Sequence, residues 1–131
     1  MTDVLTYDSF TPGTELGDWQ EPVDAGLIAT WDSLFGASEQ DQPARQTGLC
    51  IALMMRAFLK VVTPRPPGNI HARQLMTIEN LPQAGDSVHS KIRCIDKQIK
   101  RGRRYLDLEV TGYDANQRPL YVGKMSLIWA Q

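Results

Sequence analysis

Apolar residues in this chain gather in one dense block and then in a series of alternating runs. The block is Gly48–Val62, GLCIALMMRAFLKVV, with Arg56 and Lys60 as its only charges. On a helix, Leu49, Leu53, Met54, Ala57, Phe58 and Val61 line one wide face, and Cys50, Ile51, Met55 and Leu59 cover most of the rest. A helix apolar on nearly every side belongs inside a protein. It is too short and too charged to span a bilayer, which takes about 20 apolar residues. Something has to wrap it.

The alternating runs supply the wrapping. Thr63–Gly68 holds three prolines and cannot continue a helix. Four strands are then predicted. Ile70–Ile78 places Ile70, Ala72, Gln74, Met76 and Ile78 on one face. A Gly85-Asp86 turn leads to a strand with Val88, Ser90, Ile92 and Cys94 inward. Lys100-Arg101-Gly102 reads as a hairpin tip, and Leu106, Leu108 and Val110 then alternate with Asp107, Glu109 and Thr111. A turn at Asp114–Gln117 precedes the last strand, Leu120–Trp129, with Tyr121, Met125, Leu127 and Trp129 sharing a face.

Ahead of the block the pattern is weaker. Residues 4–10 alternate enough for a short edge strand ending at Thr11-Pro12-Gly13. Glu15–Val23 is a second weakly patterned segment, carrying Trp19. Asp24 can cap a small helix that puts Leu27, Ile28, Trp31, Leu34 and Phe35 on one face and stops at Gly36. Ala37–Thr47 is polar and unpatterned, a loop delivering polar side chains beside the buried helix. Helices and strands segregated in this way predict an α+β fold.

Length adds that residues 1–131 suffice for one domain with a substantial core. The net charge of −1 excludes a global field toward nucleic acid or anionic lipid. Its distribution is uneven: residues 1–45 carry nine acidic side chains and one basic, while 46–131 carry six acidic and thirteen basic. An anion site is therefore sought in the second part. Cys50 and Cys94 lack metal-ligand spacing and read as buried thiols of a reducing compartment. The first ten residues, MTDVLTYDSF, have neither the basic nor the apolar region of a signal peptide, so a cytoplasmic location is expected. Nothing calls for a cofactor or a metal.

The order of elements matches the hot-dog fold, an antiparallel sheet wrapped around one central helix. Within it, the chain resembles the MaoC-like family of (R)-specific enoyl-CoA hydratases and 3-hydroxyacyl dehydratases, over roughly residues 10 to 129. The pieces are Phe10-Thr11-Pro12-Gly13, the small helix closing on Leu34-Phe35-Gly36, Gly48 opening the central helix, and GNIHARQLMTIENLPQAGDSV from Gly68 to Val88. The resemblance implies an acyl-thioester ligand carried on coenzyme A or acyl carrier protein. It also implies a homodimer or higher oligomer with Ile70–Ile78 as the seam, or a heterodimer with a catalytic MaoC-like paralogue.

The chain departs from that pattern where chemistry is done. Active members carry an aspartate just after the small helix's glycine and a histidine five residues later, with an asparagine between. Here Ala37 follows Gly36, Glu39 stands for the asparagine and Gln42 for the histidine. Asp41, Glu39 and His71 are the remaining acid–base candidates, with Arg73 beside His71 as an anion clamp. Asp32, on the small helix, adds a carboxylate that is usually just solvated, and His89 reads as a solvated residue of the polar face. Gly48 and Leu49 are where the resemblance places the oxyanion hole, built from helix-terminal amides. Lys100, Arg101, Arg103 and Arg104, with Lys97 nearby, can hold the phosphates of coenzyme A or simply blunt an exposed β edge. No aromatic residues are interleaved for a nucleic acid.

Three readings follow: a hydratase or dehydratase subunit with a degenerate catalytic loop, a thioesterase using Glu39 or Asp41, and a non-enzymatic acyl-CoA-binding or structural subunit. A thioesterase carboxylate in the first turns of the central helix is absent from Gln46-Thr47-Gly48-Leu49-Cys50.

Overall fold

The computed structural model describes residues 4–23, 26, 29, 42–83 and 85–131, with 42–47 by backbone only. Its elements are strand β1 (Glu15–Pro22), helix α1 (Gln42–Val61), and strands β2 (Ile70–Ile78), β3 (Ser87–Lys100), β4 (Arg103–Tyr113) and β5 (Pro119–Trp129). The strands form one sheet in the order β1-β3-β4-β5-β2, every neighbouring pair antiparallel. Helix α1 lies on one face of it. The alternation of β3 to β5 is what builds that face. Val88, Ser90, Ile92, Cys94, Leu106, Leu108, Val110, Tyr121, Met125, Leu127 and Trp129 are all buried, as their spacing predicts.

Two glycines set how closely the layers approach. A Cβ on Gly112 would collide with the Tyr121 ring, and one on Gly123 with the Met54 sulfur. Tyr121 thus lies flat across β4, and α1 settles onto β5 at Met54. The β3–β4 hairpin closes on Arg101 and Gly102, both at positive φ (54° and 75°), which matches the tight turn that strand twist favours. At the next turn Asp114 Oδ1 accepts the amides of Asn116 and Arg118. Both free thiols, Cys50 and Cys94, are buried.

Several expectations are corrected. Residues 4–10 are not a strand; Tyr7–Ser9 form a 3₁₀ turn instead. The Thr6 amide donates to Ser9 Oγ, and such local bonds compete with sheet pairing. The weakly patterned Glu15–Pro22 is the strand that pairs with β3. Helix α1 begins at Gln42, so Gln42–Thr47 belongs to it and not to a loop. Apolar content cannot reveal such a start, because the first turns are polar, and Pro43 fits a first turn whose amide has no carbonyl to bond.

The helix is also not enclosed on every side. Ile51 (38% exposed) and Leu59 (47%) lie along an open stripe with half-buried Met55 between them. A bulge between His71 and Arg73 breaks the period of β2, setting Ile70 across from Ile128 and His71 across from Leu127. Ile70 therefore leaves the face it was expected to share with Met76 and Ile78. The small helix expected after Asp24 falls largely outside the described residues.

Candidate functional site

Helix α1 and strand β5 run in the same direction, so each level of the helix has a known neighbour in the sheet. Met54 meets Gly123, while Phe58 lies near Leu127 and Trp129. The earlier level, around Cys50, contains a buried polar pair. Tyr121 Oη and Ser90 Oγ share a hydrogen bond of 2.6 Å inside the core. Burial pushes the Tyr121 phenol up, only partly offset by the Ser90 bond, so it stays protonated and can donate. Burial likewise pushes the Cys50 thiol up to about 11, which keeps it neutral and a poor nucleophile.

Glu21 is a further buried polar group, met farther along α1 at Arg56. Its carboxylate is buried, ion-paired through Oε1 with Arg56 of α1, and its Oε2 has no partner among the described residues. Two residues earlier on the same face, the buried Trp19 Nε1 is also unpartnered among the described residues, and Lys60 lies over the indole. A donor and an acceptor left open beneath a helix are costly unless something meets them. Sequence reasoning passed over Glu21. The available signal was an acid placed between Trp19 and Val23 in a period of two.

The residues singled out from sequence are not all brought together. Glu39, Asp41 and Asp32 lie outside the described residues. Gly48 and Leu49 are in the second turn of α1, not at its start. Their amides are in register to bond the carbonyls four residues back, so they are not free donors, and the open amides belong to the turn beginning at Gln42. His71 sits beside Phe58 and Leu127, ten residues along the helix from Gly48, or about 15 Å of rise. Arg73 lines a shallow outer pocket with Asp107 and Lys124 instead of joining His71.

His89 is not simply solvated: its Nε2 meets Asp18 Oδ2 at 2.5 Å. That pair lies on the sheet face away from α1, since the neighbours Val88 and Ser90 point inward. Lys100, Arg101, Arg103 and Arg104 are exposed around the hairpin tip, with Arg104 donating to the Ala130 carbonyl. Lys97 is drawn away from them, donating to the Tyr7 carbonyl and resting over the Tyr7 ring.

A curved antiparallel sheet carrying one long helix defines the hot-dog class, and the structural neighbours agree. They include MaoC-like dehydratases and (R)-hydratases, with TM-scores of 0.70 to 0.80. A MaoC-like dehydratase from Rhodospirillum rubrum superposes with a TM-score of 0.76 at 14% identity, over 97% of this chain and 98% of that one. The HadBC complex of Mycobacterium tuberculosis, a 3R-hydroxyacyl-ACP dehydratase, matches with a TM-score of 0.64 at 10% identity, over 88% of this chain and 98% of the other. RV0216 from the same organism, a protein with a double hotdog fold, matches with a TM-score of 0.70 at 18% identity, over 98% of this chain and 45% of that one. No protein-family model and no curated protein matches the sequence. At these identities the likeness establishes the fold. No helix among the described residues is long and apolar enough to cross a membrane.

Proposed function

We propose that this chain binds an acyl thioester as a subunit of a hydratase or dehydratase assembly, and that it lacks an acid–base pair of its own. The observation that carries this reading is the end-to-end match with a single-domain MaoC-like dehydratase in a chain whose two histidines both lie away from the start of α1. Adding water across an enoyl thioester needs a polarised carbonyl and a base for the water. The first turn of α1 offers open amides for the former. For the latter, Gln42 cannot take a proton at neutral pH. Asp41, Glu39 and the buried Glu21 remain as carboxylates of this chain, and a catalytic paralogue paired along β2 is the other source. The exposed arginines of the hairpin tip are the groups for the phosphates of coenzyme A.

Crotonyl-CoA hydration by the purified protein tests this. A positioned acid–base group contributes typically about 10²–10⁴-fold, so turnover is expected to be weak or absent while a saturated acyl-CoA still binds. Turnover in the ordinary range of about 1–10³ s⁻¹ by the chain alone would overturn the degenerate loop. Hydrolysis of the saturated thioester would favour a thioesterase. Equal affinity for acyl-CoA and acyl-pantetheine would remove the hairpin from the site.

A further inference from the structure

The β3–β4 hairpin ends in a projecting tip that carries more charge than a turn requires. Strand β1 leaves β3 at Arg93 and β5 leaves β4 at Arg104, so the last pair, Lys100 and Arg103, has no neighbouring strand on either side. Lys100, Arg101, Arg103 and Arg104 are all exposed. None of them forms an ion pair among the described residues; Arg104 alone engages its side chain, on the Ala130 carbonyl. The tip stays positive: Asp8 shares a shallow cleft with Ile99 and Arg104, and Asp96 is turned to the Lys97 amide. Beside the cations, Ile99 is 64% exposed, the most of any large apolar side chain described.

Two features of the tip are locally unfavourable. Arg101 holds a φ of 54°, a left-handed conformation that asparagine, aspartate or glycine adopts more readily. Lys100 stands directly across from Arg103, and like charges facing each other across strands are destabilising. Protection of a sheet edge does not account for Arg104, which is paired on both sides. Local rules broken without a structural gain are expected at functional positions. The net charge of −1 supplies no general attraction, so an anionic partner is held by the tip itself.

A protein partner fits this tip poorly. Interface centres are broad and rich in aromatic side chains, whereas the tip is narrow and its exposed apolar residue is aliphatic. A bilayer surface takes a projecting tip directly. Phosphates surround the cations, and an aliphatic side chain reaches the boundary of headgroups and acyl chains. We infer that the tip docks on an anionic phospholipid surface, with Lys100, Arg101 and Arg103 among the phosphates and Ile99 at that boundary. In the thioester reading the same cations meet the phosphates of coenzyme A; the bilayer contact goes beyond that reading and needs no thioester.

The full-length protein is sedimented with vesicles of phosphatidylcholine alone and with vesicles that also contain phosphatidylglycerol. Binding is expected only to the second, and it should vanish when salt shortens the Debye length to about 3 Å. Both comparisons use the native chain, so they hold whatever the stability of a variant. Arg101→Glu combined with Arg103→Glu should lower the partition by about tenfold or more. Ile99→Ser should lower it by about threefold or more, which a purely ionic contact would not show. Lys91→Glu, on the same strand but flanked by β1 and β4, should leave it unchanged. Unchanged thermal midpoints report that the variants fold. Equal binding to both vesicles, binding that survives the salt, undiminished binding by either tip variant, or an equal loss from Lys91→Glu would each overturn the contact. So would an absence of vesicle binding; loss of acyl-CoA affinity in the arginine variant would then still support the thioester reading on its own.

Discussion

The sheet has two edges, and the chain treats them oppositely. At β1 the edge is clasped from above by α1: Glu21 pairs with Arg56, Lys60 lies over Trp19, and Gly17 admits the Val61 side chain. The strand is also bulged between Glu15 and Gly17 and ends in proline, features that discourage a further strand. At β2 there is no such cover among the described residues. Seven of its nine residues are exposed, including Ile70 and Leu75 at 53% and 59%. One edge is finished by its own chain. The other is unfinished, which supports the proposal that a second hot-dog chain completes it.

The largest effect is expected at that unfinished edge. If β2 pairs with a second copy, Leu75→Lys is met twice in each dimer. At about 1.5–3 kcal/mol for a buried leucine, dissociation should rise by about 10²–10⁴-fold with little change in fold. Sedimentation equilibrium measures this, and a wild-type monomer at micromolar concentration would remove the seam. At the finished edge, Gly17→Ala adds a Cβ 2.9 Å from Val61 Cγ1, at a φ of +156° that side chains rarely adopt. A loss of about 1–3 kcal/mol in urea unfolding is expected; an unchanged midpoint would show that Val61 simply yields. Arg56→Ala strands the buried Glu21 carboxylate. Because Arg56 is itself half exposed, about 2 kcal/mol is expected, between the values for surface and buried pairs. Equal loss from Glu21→Gln and Arg56→Ala would identify the pair as the clasp. Arg93→Ala serves as the contrast, since its exposed pairing with Glu109 reaches from β3 to β4 and clasps neither edge. It should cost less than about 1 kcal/mol, and a larger value would mean that the comparison of edges misses the sheet's own cross-links.

The same contrast explains what the sequence could reveal. Strands β3 to β5 are covered on one face only, so Val88, Ile92, Leu108 and Met125 alternate with polar neighbours and their inward face is legible. Helix α1 is legible where it is apolar and invisible where it is polar, so the apolar block points to a start at Gly48 while the helix starts at Gln42. That shift matters for the site, because it moves the open amides away from the glycine. Strand β1 was obscured by Glu21, a charge buried only because Arg56 arrives from a distant segment. The Asp18–His89 and Ser90–Tyr121 pairs have the same origin, joining residues far apart in sequence. The β2 bulge leaves no compositional trace at all.

Topology also orders the assembly of the chain in time. Strands β3, β4 and β5 are joined by tight turns at Arg101-Gly102 and Asp114–Arg118, so their contacts close over short loops. The two flanks must cross much longer ones, with Pro22 reaching Ser87 and Ile70 reaching Ile128. Closure entropy grows with such separation, and long-range strand pairing is correspondingly slow. The meander is thus the natural nucleus, with β1 and β2 added afterwards from opposite sides. Strand β2 closes the shorter of these two loops and yet keeps the least protected backbone once in place. An incoming chain that pairs with β2 would therefore stabilise its docking onto the meander as well as the finished sheet.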